Sequence, residues 1–191
     1  EDIAILPDRR QAFVSCSGSA QVASIDLKSG KLLALLDVGK TPINLALKPD
    51  GGELIVCNFN SDNISIIETS TNEVGGSYLI GKHPTRGIVS SDNARLYVSN
   101  FGSNSVAVYD IDMGKVIATM PVGSGPDGLA LSQGQKYLLA LDSQSGDVTV
   151  IQKRNPRTLE PSEYSLLTMI PVGVQPNNVV VKAFMLPKAT H

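Results

Sequence analysis

Gly39, Gly81 and Gly123 stand 42 residues apart, and each opens the same tetrad, Gly-x-x-Pro, closed by Pro42, Pro84 and Pro126. A fourth copy, Gly173 to Pro176, follows after a step of 50. A second landmark is the polar or thiol residue that ends an apolar run. Cys16, Asn58, Asn100 and Asp142 keep the 42-residue step throughout. A third, Gly30, Asn72 and Gly114, keeps it as well. Three unrelated markers in one register mean that the chain repeats a single structural unit, and a repeat of this period narrows the possible folds sharply. The longer last step is a polar, proline-bearing insertion over residues 153–165. A surface loop absorbs such an excess at small entropic cost.

Each unit reads as four short strands. In the third repeat they cover 86–89, 96–100, 106–110 and 116–120, with turns between them. Val, Ile and Tyr fill the runs; Gly, Asn, Asp and Ser fill the breaks. Runs of about five residues are too short for helices and fit strands. Four-stranded meanders at this period are the blades of a β-propeller, so the expected class is all-β. The repeats are placed at 3–37, 38–80, 81–121 and 122–171, with a final strand in 172–184, all in one domain. One blade cannot cover both of its faces, so stacking of neighbours supplies the core.

The residues then match a known pattern. Leu96-Tyr97-Val98-Ser99-Asn100, followed by Val106-Ala107-Val108-Tyr109-Asp110, Gly114-Lys115 and Val122-Gly123, resembles the YVTN family of propeller repeats. Ile55-Val56-Cys57-Asn58 is a second copy; Phe13-Val14-Ser15-Cys16 and Leu139-Ala140-Leu141-Asp142 are weaker ones. The chain has no Trp, which removes the Trp-Asp pair of WD40 repeats. The resemblance implies seven blades, which need roughly 290 residues at this period. The 191 residues hold four repeats and one further strand, 178–184. Two readings follow: an N-terminally incomplete piece of a larger propeller, which is preferred, or a four-bladed ring whose last strand joins the first blade. An unclosed arc exposes two apolar blade faces and predicts a covering partner.

Composition excludes several classes. A net charge of −2 offers no basic field for nucleic acid. No apolar run approaches a membrane span. Cys16 and Cys57 lack metal-ligand spacing and sit in apolar runs, as buried thiols do. No leader precedes the first strand, which fits a removed export signal or a start inside a longer chain.

Propeller geometry directs attention to the channel mouth, where the innermost strand follows the Gly-x-x-Pro turn. The candidate ligand-binding residues there are Asn44, His83, Arg86, Asp127, Asn177 and Asn178. The register sets Asn44, Arg86, Gly128 and Asn178 on one ring, and Arg with amides can grip an anion or a carboxylate. The competing reading makes them solvated turn residues. His83 has no evident orienting partner, so no catalytic residue is assigned. No metal site or cofactor is assigned either. The turn clusters 58–63 and 142–147 carry oxygen ligands without a calcium-loop spacing, and their residues are those of ordinary hairpins.

The leading functional expectation is a non-catalytic binding or scaffold propeller of the cell envelope, periplasmic or extracellular, taking a protein or small ligand at the mouth. The alternatives are a propeller enzyme of lactonase or quinoprotein dehydrogenase type, and a subunit docked in a larger complex. All of these rest on analogy of fold.

Overall fold

The computed structural model describes residues 2–153 and 163–182. Its strands are β1 (Ile3–Leu6), β2 (Gln11–Cys16), β3 (Gln21–Asp26), β4 (Lys31–Asp37), β5 (Pro42–Leu47), β6 (Glu53–Asn58), β7 (Asn63–Glu68) and β8 (Glu73–Leu79). They continue with β9 (Pro84–Val89), β10 (Arg95–Asn100), β11 (Ser105–Asp110), β12 (Lys115–Pro121), β13 (Pro126–Leu131), β14 (Tyr137–Asp142), β15 (Asp147–Lys153) and β16 (Tyr164–Pro171). Consecutive groups of four form separate antiparallel sheets, each ordered as in the chain. These are the up-and-down blades of a β-propeller, as the repeat requires.

The period is visible in the backbone itself. Each pairing of third with fourth strand shifts register at one place: after Ser24, Ile66, Val108 and Val150, again 42 residues apart. Such a bulge bends the outer strand and adds twist. The third landmark falls on a left-handed turn residue in the first three blades, with φ of 68° at Gly30, 58° at Asn72 and 64° at Gly114. Glycine and asparagine tolerate that conformation where branched residues do not.

Packing follows from placement. β10 and β11 lie mid-chain and mid-blade, and are buried along almost their whole length. β4, β8, β12 and β16 form the exposed outer edges. Between blades the faces interlock. Phe13, Val22 and Leu36 of the first blade meet Leu45, Leu54 and Ile67 of the second. Ile55 and Ile64 meet Leu96, Val98 and Tyr109 of the third. Tyr97, Val106 and Val108 meet Leu129, Leu138 and Ile151 of the fourth. Each fully buried aliphatic or aromatic side chain contributes about 1.5–3 kcal/mol. The first strands pack in succession, β1 on β5, β5 on β9 and β9 on β13, and so line the axis.

Two expectations need correction. Residues 172–182 carry no strand, so the last strand over 178–184 is not formed in its described part; 183 and 184 lie outside the described residues. The reason is the missing ladder: no described strand runs beside this segment to pair with it. Among the described residues it does not join the sheet of β1 either, as the reading of a ring closed at four blades would require. The segment does follow the course of a fifth inner strand. Val179 packs on Leu141, Val148 and Val150 of the fourth blade, as Leu45 packs on the first blade and Leu129 on the third. The insertion at 153–165 falls largely outside the described residues.

The far face of the first blade is uncovered. Ile3, Ile5, Leu32 and Leu35 are 62%, 54%, 55% and 53% exposed. Cys57 is buried, while Cys16 is only half-buried; both are free thiols.

Candidate functional site

The loops at one end of each blade are zipped together by backbone. After the second strand the chain makes a tight turn, 3-10 in the second and third blades, and in the second to fourth blades its amides bond to the Gly-x-x-Pro loop. Phe59 N–H donates to Thr41 O, Phe101 N–H to His83 O and Ser143 N–H to Gly125 O, each at 3.0 Å. The residue before each proline is left-handed: φ is 57° at Thr41, 51° at His83, 63° at Gly125 and 50° at Gln175. The unusual backbone of His83 is therefore a property of the repeat and not a mark of catalysis.

The glycine of the tetrad is required by close approach. A Cβ on Gly39 would lie 2.6 Å from Asn58 Cβ, and one on Gly123 would lie 2.7 Å from Asp142 Cβ. The second landmark and the first thus pack against each other.

The inner ring gains a member the sequence reading did not include. Asp2 precedes Asn44 by 42 residues and belongs with Asn44, Arg86, Gly128 and Asn178. Asp2 Oδ2 accepts from Asn44 Nδ2 at 2.7 Å and from Leu45 N–H at 3.1 Å. Asn44 Oδ1 in turn accepts from Gly87 N–H at 2.7 Å. Asp2 and Asn44 each clamp a backbone amide of the following blade. Asn44 is buried, and its amide oxygen and one of its amide hydrogens are engaged in this staple.

The staple stops at Arg86. A guanidinium has donors only and cannot accept an amide hydrogen. Arg86 is exposed, and among the described residues no side chain hydrogen-bonds or ion-pairs its guanidinium. The link between these two blades passes instead to Thr85, whose Oγ1 donates to Pro126 O at 2.9 Å.

Asp127 lies on β13 beside this break. Burial pushes its carboxyl above the ordinary value, against the neighbouring Ser143 hydroxyl and Arg86 guanidinium, which hold it down. Its Oδ1 is buried without a hydrogen-bond partner. Asp127 borders an open groove of about 950 Å³ that Phe101, Ser143, Gln144 and Asn177 also line. Along the same rim the exposed His83 ring stacks on Phe59, with centroids 4.5 Å apart and planes at 16°. Phe101 stands 6.4 Å beyond Phe59.

The structure thus brings Arg86, Asp127 and Asn177 to one rim and sets His83 beside them on an aromatic shelf. It turns Asn44 inward, and Asn178 is exposed next to Val179. Phe59 and Phe101 were not anticipated, although their 42-residue spacing just after the second landmark was available as a signal. No group of three or more His, Cys, Asp or Glu suited to a metal ion occurs among the described residues. Chemically, the rim offers one uncommitted guanidinium, one carboxyl that burial makes more basic, and a flat apolar shelf.

A family described as seven-bladed β-propeller lactonases matches residues 86–175, a little under half of the chain. The match opens at Arg86. No curated protein matches the chain in sequence. Among solved structures, hydrazine synthase of Kuenenia stuttgartiensis is 25% identical with a TM-score of 0.71, covering 78% of this chain and 44% of that one. A protein of unassigned function from Desulfotomaculum acetoxidans is 15% identical with a TM-score of 0.80, over 95% and 59%. The periplasmic gluconolactonase of Pseudomonas aeruginosa is 18% identical with a TM-score of 0.77, over 92% and 55%. The chain spans about half the length of these structures. The likenesses establish the propeller fold.

Proposed function

We propose that the chain is part of a seven-bladed propeller enzyme of lactonase type, acting on a sugar lactone at the axial rim around Arg86 and Asp127. One observation carries this reading: Arg86 occupies a ring position where the fold asks for an acceptor. The stabilising staple is given up there for an exposed cation that no hydrogen bond or ion pair engages among the described residues. The match to the lactonase family over 86–175 supports it.

The chemistry is ester hydrolysis. Water attacks the lactone carbonyl, and Asp127 takes up its proton. Arg86 donates to the carbonyl oxygen as it gains negative charge. The ring C–O bond then breaks, and the ring oxygen leaves as a hydroxyl carrying the proton returned by Asp127. A carboxyl made more basic by burial serves this role better than an ordinary one. His83, whose exposed ring has no carboxylate partner among the described residues, offers its face as a platform for the substrate ring.

The repeats are assigned to the YVTN type on Leu96-Tyr97-Val98-Ser99-Asn100 and its copies. An exported location, periplasmic or at the cell surface, accompanies this reading, with the periplasmic gluconolactonase as its support. The uncovered face of the first blade calls for a covering partner, and further blades of the same ring are the natural one.

A non-catalytic binding propeller is the second reading. It draws on the Phe59–His83 stack, which suits a ligand held but not turned over. Kinetics with gluconolactone separate the two. Arg86→Ala and Asp127→Asn are each expected to lower turnover by about a hundredfold or more while circular dichroism stays unchanged. Unaltered turnover in both variants contradicts the enzymatic reading.

A further inference from the structure

The residue that ends the second strand is Asn58 in the second blade, Asn100 in the third and Asp142 in the fourth, and all three are fully buried. In the second blade Asn58 Nδ2 donates to Asn63 Oδ1 across the hairpin at 2.9 Å and to Ser65 Oγ at 2.9 Å. The fourth blade repeats the arrangement with Asp142 opposite Asp147 and with Thr149 in place of Ser65. Thr149 Oγ1 donates to Asp142 Oδ2 at 2.6 Å. The amide donor, however, is gone. Two carboxyls meet across β14 and β15, and a buried oxygen of each, Asp142 Oδ1 and Asp147 Oδ1, has no hydrogen-bond partner.

Two ionised carboxylates in contact inside a protein repel each other, and one of them retains its proton. That proton does for Asp142 what the amide hydrogen does for Asn58. We propose that the fourth blade carries a one-proton latch, a carboxylic acid–carboxylate pair of Asp142 and Asp147, closed while one proton is held between them and open when both are ionised.

The surroundings favour a proton over other charges. β15 presents Asp147 as the charged group beside Asp142. The loop 122–125 and the turn 143–146 contain no titratable residue. On β13, Asp127 faces Ser143 and Arg86 instead. Burial first, and then Asp147, push the Asp142 carboxyl up from 3.8 to about 7, while Thr149 opposes them.

The latch sits under the turn that shapes the rim. Ser143 N–H donates to Gly125 O at 3.0 Å, and Ser143 Oγ donates to the same oxygen at 2.9 Å. Val172 N–H donates to Gly146 O at 2.9 Å. Opening the latch therefore loosens the turn that carries Ser143 and Gln144 of the groove and anchors the segment leading to Asn177. The latch stands on the repeat geometry and does not require the lactonase reading.

The sign of the pH dependence is fixed by linkage. The folded value lies above the unfolded one, so the stabilisation is complete below 3.8 and is lost as pH rises towards about 7. Two measurements on the full chain test this. In carbon-detected NMR of Asp-labelled protein, one carboxyl carbon is expected to titrate near neutrality and to be missing in Asp142→Asn. In thermal unfolding, the wild type is expected to lose stability across that window relative to Asp142→Asn, which keeps an amide donor as Asn58 does. Asp147→Asn supplies a donor from the other side and is expected to flatten the profile in the same way, should the first variant fold poorly. Equal pH profiles in wild type and both variants overturn the latch. So does an Asp142 carboxyl that titrates in the ordinary range. Calcium chloride that raises the wild-type melting temperature above neutrality, but not that of Asp142→Asn, also overturns it in favour of a cation site.

Discussion

Asn44 Oδ1 accepts the Gly87 amide hydrogen at 2.7 Å while Asn44 Nδ2 donates to Asp2 Oδ2 at 2.7 Å, so one side chain joins three consecutive blades at the axis. Asn44→Ala removes both bonds and strands the Gly87 N–H in a buried place. The expected cost is about 1–3 kcal/mol. Urea unfolding checks it through a lowered midpoint with an unchanged slope. A midpoint equal to wild type would show that the staple carries no net stability.

The tetrad glycine gives a paired test. Gly39→Ala drives a Cβ against Asn58, whereas a Cβ on Gly18 meets nothing within 4 Å. Overpacking of the first kind costs about 1–3 kcal/mol. Gly18→Ala is expected to be close to neutral. Thermal unfolding of the two single variants settles the difference, and equal behaviour would refute the close-approach explanation of the repeat's glycine.

The two thiols are expected to part company. Burial pushes the Cys57 thiol up to about 12, while Cys16 is half-buried. The thiolate is the reactive form, and Cys57 has neither thiolate nor access. A thiol reagent at neutral pH is expected to label Cys16 in the native protein and Cys57 only after denaturation. Mass spectrometry of the tryptic peptides reads this out, and prompt native labelling of Cys57 would contradict its placement between the second and third blades.

Much of the fold was legible because its information is periodic. The landmarks Cys16, Asn58, Asn100 and Asp142 do end the second strands, and Gly30, Asn72 and Gly114 do adopt left-handed turns. Over 178–182, the described part of the strand expected at 178–184, no strand forms, because an apolar run needs a neighbour to complete its ladder and the described chain supplies none.

The site was legible in part. Ring membership of Asn44 and Arg86 follows from register alone. That Asn44 faces inward and Arg86 does not depends on which side chain can accept a hydrogen bond, a question the spacing cannot pose. Asp142 was read as an ordinary hairpin residue. Its alignment with Asn58 and Asn100 already held the clue, since an acid in place of an amide loses a donor.

The central claim is that Arg86 stands where the fold would gain from an acceptor, and is kept for chemistry. Arg86→Asn tests it most directly, because the new amide oxygen can take the Leu129 N–H as Asn44 takes that of Gly87. The expected result is a rise in unfolding free energy of about 0.5–1.5 kcal/mol together with loss of lactone turnover. Turnover at the wild-type rate, or a protein made less stable, would contradict the account.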